Sequence, residues 1–127
     1  VVDFGTAITV SAVDTHGGFA GGLILPGLAT QLRSLHTATA GLPAVELPDT
    51  LPTALAFDTK SAMQAGVVRV ALAGIGAIVD EWRTATPHGV AVATGGDSPL
   101  VARWWPRLFD RHDPDLALWG IHCACSD

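Results

Sequence analysis

Asp3-Phe4-Gly5-Thr6-Ala7-Ile8-Thr9 has the pattern of a short strand, a tight glycine turn and a returning strand. A glycine lets backbone N–H groups approach phosphate oxygens closely, and the Thr6 hydroxyl adds a hydrogen-bond donor. An aspartate in front of the turn, here Asp3, can hold a cation that neutralises phosphate charge. The segment therefore predicts a site for a polyphosphate, although an ordinary β-hairpin with a capping aspartate would have the same pattern.

Composition limits the classes of protein to which the chain can belong. Its 127 residues suit one domain, and the 49% of hydrophobic and 15% of charged residues indicate a globular chain with a large core. A net charge of −5 without a basic stripe argues against direct binding of nucleic acid.

Neither a membrane nor a metal–thiolate site is expected. The longest apolar run, 70–79, is too short to span a bilayer, and no signal peptide is visible, so we expect a cytoplasmic protein. Cys123 and Cys125 form a Cys-Ala-Cys tail without a second ligand pair, which favours two reduced thiols over a zinc site.

The order of elements predicts an α/β layer. Short strands with a turn at 15–18 lead through the glycine-rich segment 21–27 into a helix that ends before Pro43. A proline-interrupted loop follows, and a long helix then begins at Asp58 or Thr59 and ends near residue 82. Beyond it we expect a strand at 89–94, a helix that begins near Ser98 and a buried strand at 116–121, which together give a mixed sheet covered by helices.

Glycines interrupt the long helix at Gly66, Gly74 and Gly76. Each costs about 1 kcal/mol relative to alanine inside a helix, so their presence suggests that another backbone packs very close. That backbone would belong to a neighbouring helix of the same domain or to a second subunit; a poor helix rescued by core packing is the alternative.

Five segments in order resemble the type III pantothenate kinases, a family that includes the Bvg accessory factors. They are Asp3-x-Gly5-Thr6-Ala7-x-Thr9, Gly21-Gly22-x-Ile24-x-Pro26-Gly27, Thr39-Ala40-x-Leu42-Pro43-x-Val45, Asp58-Thr59-x-x-Ala62-x-x-x-Gly66 and Val92-Ala93-Thr94-Gly95-Gly96. The resemblance implies a half-domain of the actin/hexokinase/Hsp70-like (ribonuclease H-like) ATPase fold. On this expectation, residues 1–127 are a single C-terminal half-domain and the N-terminal half-domain is absent.

The resemblance also implies roles for individual residues. Asp3 would bind a monovalent cation, K⁺ or NH₄⁺, while Gly5, Thr6, Gly95 and Gly96 would contact ATP. Thr59 would contact pantothenate, although it could equally be only a helix cap. Asp58 stands where the family often has asparagine, so a carboxylate replaces an amide before that threonine.

Two motifs of the family do not occur in this sequence. They are the Asp-x-Gly-Asn-Thr hairpin, whose aspartate helps to hold Mg²⁺, and the Gly-x-Asp-Arg segment, whose aspartate is the general base. We therefore expect no catalytic residue in this chain and little activity from it alone.

The resemblance implies a homodimeric kinase that converts pantothenate to 4'-phosphopantothenate, the first step of coenzyme A biosynthesis. Two alternatives stay open. One is a non-catalytic half-domain that binds nucleotide or a partner and has a regulatory role. The other is a kinase of the same superfamily that acts on a sugar or acetate.

Overall fold

The computed structural model describes residues 1–126, which divide into two compact units. One unit contains Val1–Leu25 and the chain from Val90 onward, and the other is Pro26–Gly89. The strands are β1 (Val2–Phe4), β2 (Ala7–Val13), β3 (Phe19–Pro26), β4 (Val92–Thr94) and β5 (Arg111–His112). The helices are α1 (Leu28–Ala38), α2 (Thr59–Ala85), α3 (Ser98–Trp104) and α4 (Leu116–Ala124).

The first unit is built on a mixed sheet with the strand order β3-β2-β1-β4-β5. β1 runs antiparallel to β2 and parallel to β4, and β4 runs parallel to β5. This arrangement confirms the predicted α/β class and its mixed sheet. Because β1 and β4 are parallel neighbours, the turns that follow them lie at the same edge of the sheet.

Alternation of side chains determines the register of β1 and β2. Val2 pairs with Val10 and Phe4 with Ile8, and all four side chains are buried, whereas Asp3 between them faces the opposite side of the sheet. The Phe4 ring also makes an edge-to-face contact with Phe109, with ring centroids 5.8 Å apart.

The connection between β2 and β3 is the predicted tight turn. The Asp14 carboxylate accepts hydrogen bonds from the His16 and Gly18 N–H groups, both at 2.8 Å, and Gly17 has a φ of +82°. Residues 21–26, from the glycine-rich segment that was expected to lead into the helix, form part of β3. Gly22 is needed there because a Cβ atom would collide with the carbonyl oxygen of Val10 on the neighbouring strand.

The second unit pairs α1 with α2, and both helices occur where the sequence predicted them. The segment 39–58 between them has no regular secondary structure, as expected. Side chains of α2 hold this segment, since Gln64 donates to the Glu46 carbonyl at 2.8 Å and Arg69 Nε donates to the Pro52 carbonyl at 2.6 Å.

Helix α2 is long and apolar enough to cross a membrane by length and composition alone. Half of its most apolar window is buried inside the structure, and the core helix of a soluble protein passes the same test, so this is weak evidence for a span. The close packing expected at its glycines is not found within the described chain at Gly66 or Gly74, where an added Cβ would meet nothing within 4 Å.

One expectation about the C-terminal region, the buried strand at 116–121, is wrong. The helix that begins at Ser98 ends at Trp104, before Pro106, because proline cannot continue a helix. Residues 116–121 belong to helix α4, none of whose residues is buried, and the last strand is the two-residue β5. An apolar run of this length fits a strand and a helix equally well by periodicity.

Candidate functional site

The Asp3 carboxylate lies between two glycine turns at one edge of the sheet. A Cβ atom added to Gly5, in the β1–β2 turn, would lie 3.8 Å from Asp3 Oδ1, and one added to Gly95, in the β4–α3 turn, would collide with the same oxygen. The structure therefore brings together Asp3, Gly5 and Gly95, which the sequence had assigned to one nucleotide site from separate motifs.

The β4–α3 turn requires glycine at position 95. Gly95 has a φ of +92°, and its Cβ would lie 2.7 Å from both the nitrogen and the oxygen of Phe4. The Asp97 N–H donates to the Phe4 carbonyl at 3.0 Å, so the two turns are also joined by a hydrogen bond. The buried Ser98 hydroxyl donates to the Gly95 carbonyl at 2.6 Å and fixes the turn from the other side.

Gly96 and Thr6 are the more open members of the predicted nucleotide site. Both residues are exposed, and a Cβ on Gly96 would meet nothing within 4 Å. Thr6 lies at the tip of the β1–β2 turn, next to Gly5. Such turns can present backbone N–H groups to an anion, as the polyphosphate prediction requires.

The buried hydroxyl of Thr94 lies beside Asp3 in the sheet, although the sequence did not assign Thr94 to the site. Thr94 pairs with Asp3 in the parallel register of β4 and β1, and it is only 3% exposed. Within residues 1–126 its Oγ1 atom has no hydrogen-bond partner, and neither does the Asp3 carboxylate have a hydrogen bond or ion pair. Two adjacent oxygen groups without partners fit an oxygen-coordinated cation.

Among the described residues, no group of three or more His, Cys, Asp or Glu side chains could hold a metal ion. The family resemblance places the Mg²⁺ ligand in the Asp-x-Gly-Asn-Thr motif, which this sequence does not contain.

A second carboxylate follows the Gly95 turn. Asp97 is partly buried, and this burial raises the pKa of its carboxyl above the ordinary value because the charged form loses water contacts. Its side chain makes no capping hydrogen bond to α3, which begins at the next residue. With Asp3 nearby, this edge of the sheet carries negative charge that favours a cation over an unaccompanied anion.

Thr59, the predicted pantothenate contact, is the first residue of α2 in the second unit. The helix cap is Asp58, whose carboxylate accepts from the Ser61 N–H at 3.0 Å and from the Ser61 hydroxyl at 2.7 Å. These hydrogen bonds lower the pKa of the Asp58 carboxyl. Thr59 is exposed and its hydroxyl is not used by the cap, so capping does not account for the threonine.

The sheet unit also has a small open cavity away from the two glycine turns. Its volume is about 170 Å³, and it is lined by residues between Ala102 and His112. Cavities that hold ligands the size of a drug are typically about 300–1,000 Å³. This cavity is too small to enclose a nucleotide.

Comparison with known proteins identifies the family. The profile of the type III pantothenate kinases matches residues 1–81. The type III pantothenate kinase of Gloeobacter violaceus is 59% identical over 124 residues, covering 98% of this chain and 54% of the relative. That of Synechococcus elongatus is 42% identical over 122 residues, covering 95% of this chain and 49% of the relative.

A solved structure shares the fold over nearly the whole chain. It is a conserved protein assigned as a Baf family transcriptional activator from Campylobacter jejuni, 25% identical, with a TM-score of 0.63. The match covers 96% of this chain and 54% of that one.

This chain belongs to the type III pantothenate kinase family, which confirms the resemblance noted in its motifs. It spans about half the length of the curated relatives that it matches, consistent with the expected half-domain.

Proposed function

We propose that this chain is the C-terminal part of a cytoplasmic kinase that transfers the γ-phosphate of ATP to pantothenate, forming 4'-phosphopantothenate for coenzyme A biosynthesis. Membership of the family supports this proposal, and so does the convergence of the Gly5 and Gly95 turns on the Asp3 carboxylate. In phosphoryl transfer the protein acts mainly by positioning the reactants and by compensating charge, which is what paired glycine turns and a cation site can do.

Each residue of the site has a proposed task. Gly5, Thr6, Gly95 and Gly96 contact ATP. Gly5 does so by leaving room for the phosphates, because its N–H donates to the Ala7 carbonyl at 3.1 Å, and the others offer backbone N–H groups and the Thr6 hydroxyl. Asp3 holds K⁺ or NH₄⁺, while Mg²⁺ and the general base depend on the part of the polypeptide that this chain does not include. As the family resemblance implies, one aspartate there would help to hold Mg²⁺ and another would be the general base.

Thr59 contacts pantothenate through its exposed hydroxyl. We further propose that the active protein is a homodimer in which α2 packs against its counterpart. The open space over Gly66 and Gly74 supports this arrangement, because it leaves room for another backbone.

The test is ATP-dependent phosphorylation of pantothenate, measured with the complete polypeptide and with the 127-residue chain. We expect activity from the complete protein and essentially none from the chain alone. Thr59→Val should raise the KM for pantothenate more than that for ATP, and Thr6→Val should do the reverse. Thr84→Val is the control, since Thr84 is an exposed threonine at the other end of α2 whose hydroxyl bonds to the Asp80 carbonyl.

A clear preference of the complete protein for a sugar or acetate would overturn the choice of substrate. The regulatory alternative makes a different prediction, namely that the half-domain itself binds nucleotide or a partner and that no phosphorylated product is formed. This alternative is tested as well, because the chain matches only 54% of the length of its Gloeobacter violaceus relative.

A further inference from the structure

The buried hydroxyl of Thr94 requires an explanation that the protein chain does not supply. Thr94 ends β4 and is 3% exposed, and its Oγ1 atom has no hydrogen-bond partner within residues 1–126. Buried hydroxyl groups in folded proteins almost always have a partner, because the loss of hydration is otherwise uncompensated. A valine of the same shape would avoid that loss.

The surroundings of Thr94 indicate what kind of partner it has. The parallel register places Thr94 beside Asp3, and side chains of paired residues point to the same face of a sheet. The Asp3 carboxylate approaches the backbone of Gly95, the residue directly after Thr94. A water molecule would satisfy the hydroxyl but leave the carboxylate without a counterion, whereas a cation between the two groups would satisfy both.

We propose that the Thr94 hydroxyl is a ligand of the monovalent cation held by the Asp3 carboxylate. The inference rests on the cation assigned to Asp3 under the proposed function, and it adds a second ligand from a different strand. Such a cation links the end of β1 to the end of β4, and therefore holds the Gly5 and Gly95 turns together. Cation binding thus positions the nucleotide site in addition to neutralising charge.

The experiment is thermal unfolding of the complete polypeptide in KCl and in choline chloride at equal ionic strength, without substrates. A ligand that binds only the folded state raises stability according to its concentration relative to its Kd. We expect the wild-type protein to unfold at a higher temperature in KCl. Thallium(I) NMR gives an independent measure of the affinity for a monovalent cation.

Thr94→Val gives the decisive comparison because it removes the hydroxyl and keeps the shape. In choline it should be as stable as the wild type or more stable, since the hydroxyl without a partner is gone. In KCl it should show little of the rise in unfolding temperature that the wild type shows. Its affinity for the cation should fall by about tenfold or more. Thr94→Ser, which keeps the oxygen, should retain the response to K⁺.

Ser98→Ala is the matched control, because it removes a second buried hydroxyl at the same turn. The Ser98 hydroxyl bonds to the Gly95 carbonyl, so its loss should lower stability equally in both salts. A full response to K⁺ in Thr94→Val, together with its loss in Asp3→Asn, would overturn the role of Thr94 and leave the Asp3 site intact. No response in the wild type would overturn both cation assignments, while the phosphorylation assay tests the kinase function separately.

Discussion

Gly95 is the residue whose replacement should be least tolerated at the candidate site. Its φ of +92° is strained for any other residue, and its Cβ would lie 2.7 Å from two backbone atoms of Phe4. We expect Gly95→Ala to lower the free energy of unfolding by about 1–3 kcal/mol or more, measured by urea denaturation. The neighbouring Gly96→Ala should change it by less than about 0.5 kcal/mol, since nothing lies within 4 Å. Equal effects of the two changes would contradict this account of the turn.

Asp97 should make the stability of the fold depend on pH in the acidic range. Its pKa in the folded protein is raised above the ordinary value of 3.8, so the folded state binds this proton more tightly than the unfolded state does. The contribution of the protonated Asp97 carboxyl to the stability of the folded state is present below pH 3.8, and it is lost as the pH rises through the raised pKa. Asp97→Asn should therefore be more stable than the wild type at pH 7, and the advantage should disappear at pH 3. An advantage that is the same at both pH values would show that ionisation is not its cause.

The site residues named from the sequence all come from motifs that resemble those of the family. Asp3, Gly5 and Gly95 were assigned through the family resemblance of two separate motifs, and the structure brings these three residues together. Thr94 belongs to one of these motifs, but the sequence did not assign it to the site. Its position beside Asp3 depends on the register of the two strands that carry these residues. Pairing between residues as far apart in sequence as Asp3 and Thr94 is a tertiary property that local patterns do not fix.

The beginning of helix α2 depends on the Asp58 cap. The carboxylate accepts two hydrogen bonds from Ser61, and these lower its pKa. Stability from the charged cap is therefore present above pH 3.8, the ordinary value, and is lost as the pH falls through the lowered pKa. Asp58→Ala should increase hydrogen exchange in the first turn of α2, whereas Asp58→Asn should keep the cap and remove its pH dependence. Unchanged exchange in Asp58→Ala would contradict the assignment.

The interior of α2 should gain stability when its open glycines are replaced. Gly66→Ala and Gly74→Ala should each raise the free energy of unfolding by about 0.5–1 kcal/mol, because no atom of the described chain opposes the added methyl group. If α2 forms the proposed dimer contact, the same changes should weaken association, which analytical ultracentrifugation measures. Increased stability with unchanged association would argue against a contact at these glycines.

Elements were predicted reliably where start and stop signals flanked a periodic pattern, as for α1 and α2. The prediction for Leu116–Ile121 failed because Leu, Trp and Ile in a short run suit a buried strand as well as a helix. The preceding residues Asp113-Pro114-Asp115 are a typical helix start, and this signal could have favoured a helix over a strand for the run. The glycines of residues 21–26 indicated only a lead into the helix, whereas the segment is part of β3, where Gly22 allows a close contact with Val10 on the neighbouring strand.

The chain as a whole exposes apolar surface that a complete protein would be expected to cover. In α4, Leu118 is 64% exposed, Trp119 is 59% exposed and Ile121 is 62% exposed, and no residue of the helix is buried. Its cap residue, Asp115, makes no side-chain hydrogen bond to the helix. A nine-residue helix without packing or a side-chain cap is marginal in water, since helical stability in proteins comes mainly from a buried face.

We therefore expect α4 to fray when the 127-residue chain is studied alone, while α2 stays folded around Val68 and Leu72, which are fully buried. Cys123 and Cys125 report on whether anything covers α4, because both thiols are free and exposed, while amide exchange reports on fraying. They should react with a thiol reagent nearly as fast as in denaturant, and the amides of α4 should exchange far faster than those of the α2 core. Slow labelling that persists on dilution would mean that α4 is held within one chain, and slow labelling lost on dilution would mean that another copy covers it. Either result would contradict fraying, because a helix that labels slowly must bury the face that this fold leaves in water.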